Sequence, residues 1–178
     1  MDEDYHALAS TGMKHFHKKK YSLAADCFSR AVDGAHEAQN DLDEAELRNN
    51  LSVSYLMDGQ PQLALEAVRE TDKVFETHND LKRQAMALGN TGQALEELKE
   101  YSQALECYDQ AIAILKGKEF HDVRSVLLRR KAMVQGKTGD IYQAVASMDT
   151  SKMEITNPDL KDKVFKKILD RIFNRKKA

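Results

Sequence analysis

Residues 87–111 read ALGNTGQALEELKEYSQALECYDQA, and residues 7–31 read ALASTGMKHFHKKKYSLAADCFSRA. Laid over each other, the two stretches agree at ten of 25 positions. Ala7, Leu8, Thr11, Gly12, Lys19, Tyr21, Ser22, Ala24, Cys27 and Ala31 each meet their own kind 80 residues on. Halving the shift brings in two further copies. Ala24, Ala64, Ala104 and Ala144 then align, and Gly12, Ser52, Gly92 and Ala132 are all small. Phe28, Val68, Tyr108 and Met148 are all large and apolar. Self-similarity at a fixed period signals a stacked-repeat architecture, and the period here is 40.

Each unit reads as two helices. Leu88, Thr91, Gly92 and Leu95 recur at the three- and four-residue spacing of one helical face, and Ala104, Tyr108, Ala111 and Leu115 do the same. Short breaks at Lys19-Lys20, Gly59-Gln60, Lys99-Glu100 and Gly139-Asp140 separate the arms. A small residue on one arm opposite an alanine on the other lets two backbones approach, and the large residue one turn on fills the space beside them. The unit is an antiparallel hairpin whose remaining apolar face its neighbours must cover.

Composition agrees. The 178 residues hold 8 Gly and 2 Pro, 38 Ala plus Leu, and only 15 Val plus Ile. Helix formers dominate and strand formers are scarce, which excludes a sandwich, a barrel or a Gly-rich nucleotide-binding α/β fold. A chain of this length hides roughly 70% of its unfolded surface. Cys27 and Cys107 share one repeat position, as small buried hydrophobes would, and two cysteines build no disulfide framework or metal site.

These units resemble tetratricopeptide repeats. The third matches that family's pattern with Leu88, Gly92, Leu95, Tyr101, Ala104, Tyr108 and Ala111, and the first with Leu8, Gly12, Tyr21, Ala24, Phe28 and Ala31. The second keeps Leu51, Ser52, Tyr55, Gly59 and Ala64, and the fourth Leu128, Ala132, Gly139-Asp140 and Ala144. Three departures stand out: no Trp, no repeat-ending Pro, and Arg48 where a large apolar residue is usual, with Leu47 beside it. The 40-residue period is similar to that of the longer-helix members, such as kinesin light chains and the mitotic and bacterial quorum-sensing peptide receptors. The resemblance implies an all-α, right-handed superhelical solenoid forming a single domain over 1–178. Its repeats are expected at 5–40, 43–79, 81–117 and 120–155, with a C-terminal capping helix at 158–175, nine helices in all.

Helical geometry also marks a second face on each first helix, opposite packing positions that lie within about 100° of one another. Stacked hairpins turn that face to the concave side, where solenoids bind. Asn50 and Asn90 share one position on it, with Asn49 and Gln93 nearby. A carboxamide both donates and accepts, so it bridges an extended peptide backbone; asparagine ladders do this in the long-repeat members. Equally, these side chains could bond a neighbouring helix or water. Arg129 and Arg130 present forks suited to carboxylates, unless they belong to a solvated charge run. Met13, Phe16, Val53, Leu56, Met57, Met86 and Met133 are either adaptable apolar anchors or packing between repeats. The candidate groove is therefore Asn49, Asn50, Val53, Met57, Asn90, Gln93, Arg129, Arg130 and Met133. The two-carboxylate clamp of chaperone-binding members is matched only at Asn90 and Arg130. Asn49, Val53 and Val126 stand at its other positions, so acidic chaperone tails are not expected ligands.

Lys plus Arg number 27 against 29 Asp plus Glu, net −2, so no global field draws nucleic acid or anionic lipid. Residues 161–178 carry eight basic and two acidic side chains, +6, leaving −8 on residues 1–160. Pro158 follows an Asn157 N-cap, and Leu160, Val164, Phe165, Ile168, Leu169, Ile172 and Phe173 form a stripe at helical spacing. That basic amphipathic segment fits a solenoid cap or a membrane-surface or calmodulin-target helix. The acidic N-terminus is followed by no apolar signal region, and a cytoplasmic chain is expected. No nucleophile, metal-ligand or phosphate-loop motif is present. The expected function is a non-catalytic adaptor without cofactor, binding a peptide or helix of another protein, an acidic one among the candidates. The alternative is a self-assembling scaffold whose basic C-terminal helix docks on another copy or an anionic surface.

Overall fold

A computed structural model describes residues 4–154, which fold into helices and turns alone. The chain divides between Leu115 and Lys116 into two compact units. The first holds α1 (Tyr5–His17), α2 (Tyr21–Glu37), α3 (Asp41–Met57), α4 (Pro61–Val68), α5 (Thr71–Thr77), α6 (Leu81–Glu97) and α7 (Tyr101–Ile114). The second holds a single 3-10 turn at Lys118–Phe120, then α8 (His121–Lys137) and α9 (Ile141–Glu154). The expected capping helix at 158–175 lies outside the described residues.

The helix boundaries follow from local chemistry. Asp4, Asn40 and Asp80 are the N-caps of α1, α3 and α6, each side chain accepting a backbone N–H two or three residues on. The breaks between hairpin arms share one geometry. At the first, Lys20 N–H donates to the His15 carbonyl (3.0 Å) and Lys19 N–H to that of Phe16 (2.8 Å). Gly59-Gln60, Lys99-Glu100 and Gly139-Asp140 repeat the pattern. This is the left-handed C-cap that stops a helix sharply. Gly59 and Gly139 take the positive φ without strain, whereas Lys19 and Lys99 hold it as non-glycine residues.

In the first unit α2 packs on both α1 and α3, and α6 on α4, α5 and α7. Leu8, Ala24, Ala25, Phe28, Ala31, Ala35, Leu47 and Leu51 form one buried cluster, and Ala45, Val68, Phe75 and Ala87 another. The small-against-large pairing expected at the hairpin contact is present. A Cβ on Gly12 would stand 3.0 Å from Phe28 Cε1, and one on Gly92 only 2.9 Å from Tyr108 Cε1.

One arm departs from the sequence expectation. The second arm of the second repeat is two helices, because Glu70 adopts φ 63° and ends the helical path after Val68. Thr71 Oγ1 donates to the Val68 carbonyl (2.8 Å). The Arg48 guanidinium donates from Nε to Ala67 O (3.0 Å) and from Nη2 to Arg69 O (2.9 Å). The arginine in an apolar slot thus supplies donors to carbonyls that the break deprives of helical partners.

Candidate functional site

Two recesses lie along the first helices of the first unit. One, about 370 Å³, is bordered by Tyr5, His6, Ser10, Met13, Asp43, Glu46 and Asn50 among others. The next, about 400 Å³, is bordered by Glu46, Asn49, Asn50, Val53, Arg83, Met86 and Asn90 among others. Glu46 and Asn50 belong to both, so α1, α3 and α6 carry one continuous groove.

The asparagines divide in role. Asn90 Nδ2 donates to Asn49 Oδ1 (3.0 Å), and Asn49 Nδ2 to the Ala45 carbonyl (2.9 Å). These two tie α6 to α3 and so take the structural role left open by the sequence. The Asn50 and Gln93 side chains are half-buried and make no hydrogen bond among the described residues. Asn50 alone of the two borders the recesses.

The methionines also separate. Met13 and Met86 border the groove with 39% and 47% of their surface exposed, so each presents part of its side chain there. Met57 is exposed at the end of α3 but borders neither recess. Val53 is half-buried at the second recess. Phe16 packs edge-on against Tyr21, ring centroids 5.3 Å apart, and against the first cluster.

Sequence reasoning missed Arg83 and Asp43. Arg83 Nη2 lies 3.4 Å from Glu46 Oε2 and its Nε 3.5 Å from Asp80 Oδ2, linking α6 to α3 at the groove. Asp43 Oδ2 accepts from the Tyr5 hydroxyl (2.9 Å) and from Asn40 Nδ2 (2.8 Å). The Tyr5 phenol is held above its ordinary pKa chiefly by that hydrogen bond to Asp43. Asp43 and Arg83 are 40 residues apart, one turn before the face considered; extending it by one turn finds both. Glu96 stands three residues on from Gln93 and shares its helical side, yet it is 2% exposed and accepts from the Tyr108 hydroxyl (3.1 Å).

In the second unit, α8 carries Arg129, Arg130 and Met133. Arg129 is half-buried, while Arg130 already interacts within the molecule. Met133 is exposed. Cys27 is buried, and burial pushes the Cys107 thiol up, so neither is poised as a nucleophile. Among the described residues no three His, Cys, Asp or Glu gather as a metal site, and no helix is long and apolar enough to cross a membrane.

The sequence profile of the soluble NSF attachment protein (SNAP) family matches residues 7–174. The chain belongs to the SNAP family. It is also similar to the regulatory protein RapG of Bacillus subtilis (strain 168), with 23% identity over 146 residues. That match covers 82% of this SNAP-family chain and 40% of RapG, so the chain spans less than half of that relative. Among solved structures, BtubC from P. vanneervenii superposes with a TM-score of 0.73 at 17% identity, covering 87% of this chain and 67% of that one. The nearly identical TPR-like repeats of a kinesin light chain from Podosopora anserina give 0.70 at 14% identity, covering 85% and 75%. At such identities the likeness is one of fold. It places this SNAP-family chain among the tetratricopeptide-like helical repeats, as its 40-residue period implied.

Proposed function

We propose that this chain is a non-catalytic protein-interaction adaptor that takes a peptide or helix of another protein along the groove of α1, α3 and α6. The observation that carries this is Asn50. Its carboxamide borders both recesses, makes no hydrogen bond among the described residues, and shares the groove with exposed Met13 and Met86. A donor–acceptor pair flanked by adaptable apolar side chains suits a backbone with side-chain anchors. Asn49, Asn90 and Val53 line and brace that surface, and Gln93 and Met57 lie on the same two helices beyond the recesses. Arg129, Arg130 and Met133 offer a companion surface for acidic groups on the second unit. An attachment-protein family and a regulatory relative both support binding rather than turnover.

Site-specific photo-crosslinking tests the reading. A photoreactive residue at Ser10 or Met86 of the full chain is expected to trap partner protein, and Asn50→Ala to abolish the product. The same residue at Gln103, away from the groove, should give none. Equal trapping at all three positions, or trapping indifferent to Asn50→Ala, would refute it. Groove crosslinks solely to other copies of this chain would favour the scaffold alternative instead.

A further inference from the structure

The sulfur atoms of this chain divide into thiols that are withheld and thioethers that are offered. Cys27 is buried. Cys107 is half-buried, and burial, with the Asp72 and Glu106 carboxylates nearby, holds its thiol above the ordinary range. Peroxides attack thiolates, so neither cysteine is a ready target. A thioether has no proton to lose and reacts wherever it meets solvent. Among the methionines with described side chains, Met148 is half-buried, while Met13, Met57, Met86 and Met133 are exposed. Two of those four stand in the α1–α3–α6 groove, Met13 at the first recess and Met86 at the second. Each is the main apolar surface its recess has to offer. Phe28 and Leu47 at the first recess and Phe75 at the second are buried, and Val53 is half-buried. The most oxidisable exposed atoms of the groove are therefore also those on which its apolar contacts depend.

We infer that Met13 and Met86 are oxidation sites through which a peroxide weakens the groove's hold on its partner. The thioether sulfur attacks one peroxide oxygen, and the S–O bond forms as the O–O bond breaks. Sulfur is oxidised by two electrons to the sulfoxide. The second oxygen leaves, takes the proton of the transferred one and becomes water. An apolar, flexible side chain is thereby made polar and chiral, and the change is reversed by the two methionine sulfoxide reductases, one for each epimer. The inference rests on the adaptor reading of the same groove and adds its regulation.

The test treats the full chain, carrying the photoreactive residue at Ser10, with hydrogen peroxide, which catalase removes before the chain meets cell extract. Peptide mass spectrometry is expected to find sulfoxide at Met13 and Met86 ahead of Met148 and ahead of any oxidation of Cys107. Trapping at Ser10 should fall about tenfold, the worth of one largely buried apolar side chain, with the thermal midpoint unchanged. Treatment with both reductases should restore it. Met13→Leu with Met86→Leu removes both thioethers at nearly constant volume. Whatever its untreated yield, its ratio of treated to untreated trapping should stay near one, whereas Met57→Leu should remain as sensitive as wild type. Met13 and Met86 resisting peroxide while Cys107 reacts, trapping that survives their oxidation, or equal loss in wild type and the double variant overturns the inference. Trapping that depends on Asn50 but is indifferent to peroxide leaves the groove reading standing and fells this inference alone. Trapping absent or indifferent to Asn50→Ala before any peroxide is added fells both.

Discussion

Arg48 Nη2 lies 2.9 Å from the backbone oxygen of Arg69, so a side chain of α3 closes the end of α4. Together with the Nε bond to Ala67 O, it makes two charge-assisted hydrogen bonds to carbonyls that have left their helix. Arg48→Met keeps an apolar stem of similar length and removes both donors. It is expected to lower the stability of the first unit by about 2 kcal/mol, read as a shift in the urea midpoint at neutral pH. An unchanged midpoint would mean that water replaces the guanidinium without cost.

Two glycines on first helices should respond in opposite directions. Gly92→Ala drives a methyl to 2.9 Å from the ring of the fully buried Tyr108. About 1–3 kcal/mol of destabilisation is expected from such overpacking. Gly136→Ala adds a methyl over open space within α8 and should stabilise by about 0.5–1 kcal/mol through lower backbone entropy in the unfolded chain. Thermal melts of both variants check the pair, and equal signs would contradict it.

Ser52 occupies the small position of the second repeat, fully buried, and its hydroxyl has no hydrogen-bond partner among the described residues. Removing that oxygen relieves an unpaired polar group while leaving the fit intact. Ser52→Ala is therefore expected to be neutral or to stabilise by up to about 1 kcal/mol. A loss of stability in denaturant would show that the hydroxyl is bonded after all.

Tyr5 makes the first unit sensitive to alkali. Its phenol donates to the Asp43 carboxylate, and ionisation would place two anions together, so the folded-state pKa lies above the ordinary 10.0. A group raised on folding contributes fully below its unfolded pKa, and its contribution is lost as pH rises past that value and through the folded one. Wild-type stability should fall as pH rises beyond about 10, and Tyr5→Phe should flatten that part of the profile. Denaturation midpoints measured across the range decide it, and parallel profiles would exclude the mechanism.

The fold was legible because its determinants are local and repeated. Gly12 against Phe28 and Gly92 against Tyr108 can be read from spacing, since helical period fixes which residues face each other within a hairpin. The break in the second arm was not legible, because Arg69 and Glu70 are ordinary helix residues and no Gly or Pro marks the site. Its trace was on another helix, in the arginine at an apolar position. The groove was half legible. Periodicity placed Asn49, Asn50 and Asn90 on one side, but whether two carboxamides meet depends on the distance between α3 and α6, which no single helix encodes. Glu96 shows the same limit: its register points outward, yet a tyrosine hydroxyl on the facing arm holds it inside.

The divided arm of the second repeat also bears on how the chain reaches its native state. Helices of eight and seven residues fall below the length at which a helix sustains itself in water. Neither α4 nor α5 can therefore nucleate alone. Each keeps its shape by burying Val68, Thr71 and Phe75 against its neighbours. The 17-residue helices α3 and α6 on either side hold more of their own helical bonds, so the split arm is expected to depend on them and to be the first part of this unit to open.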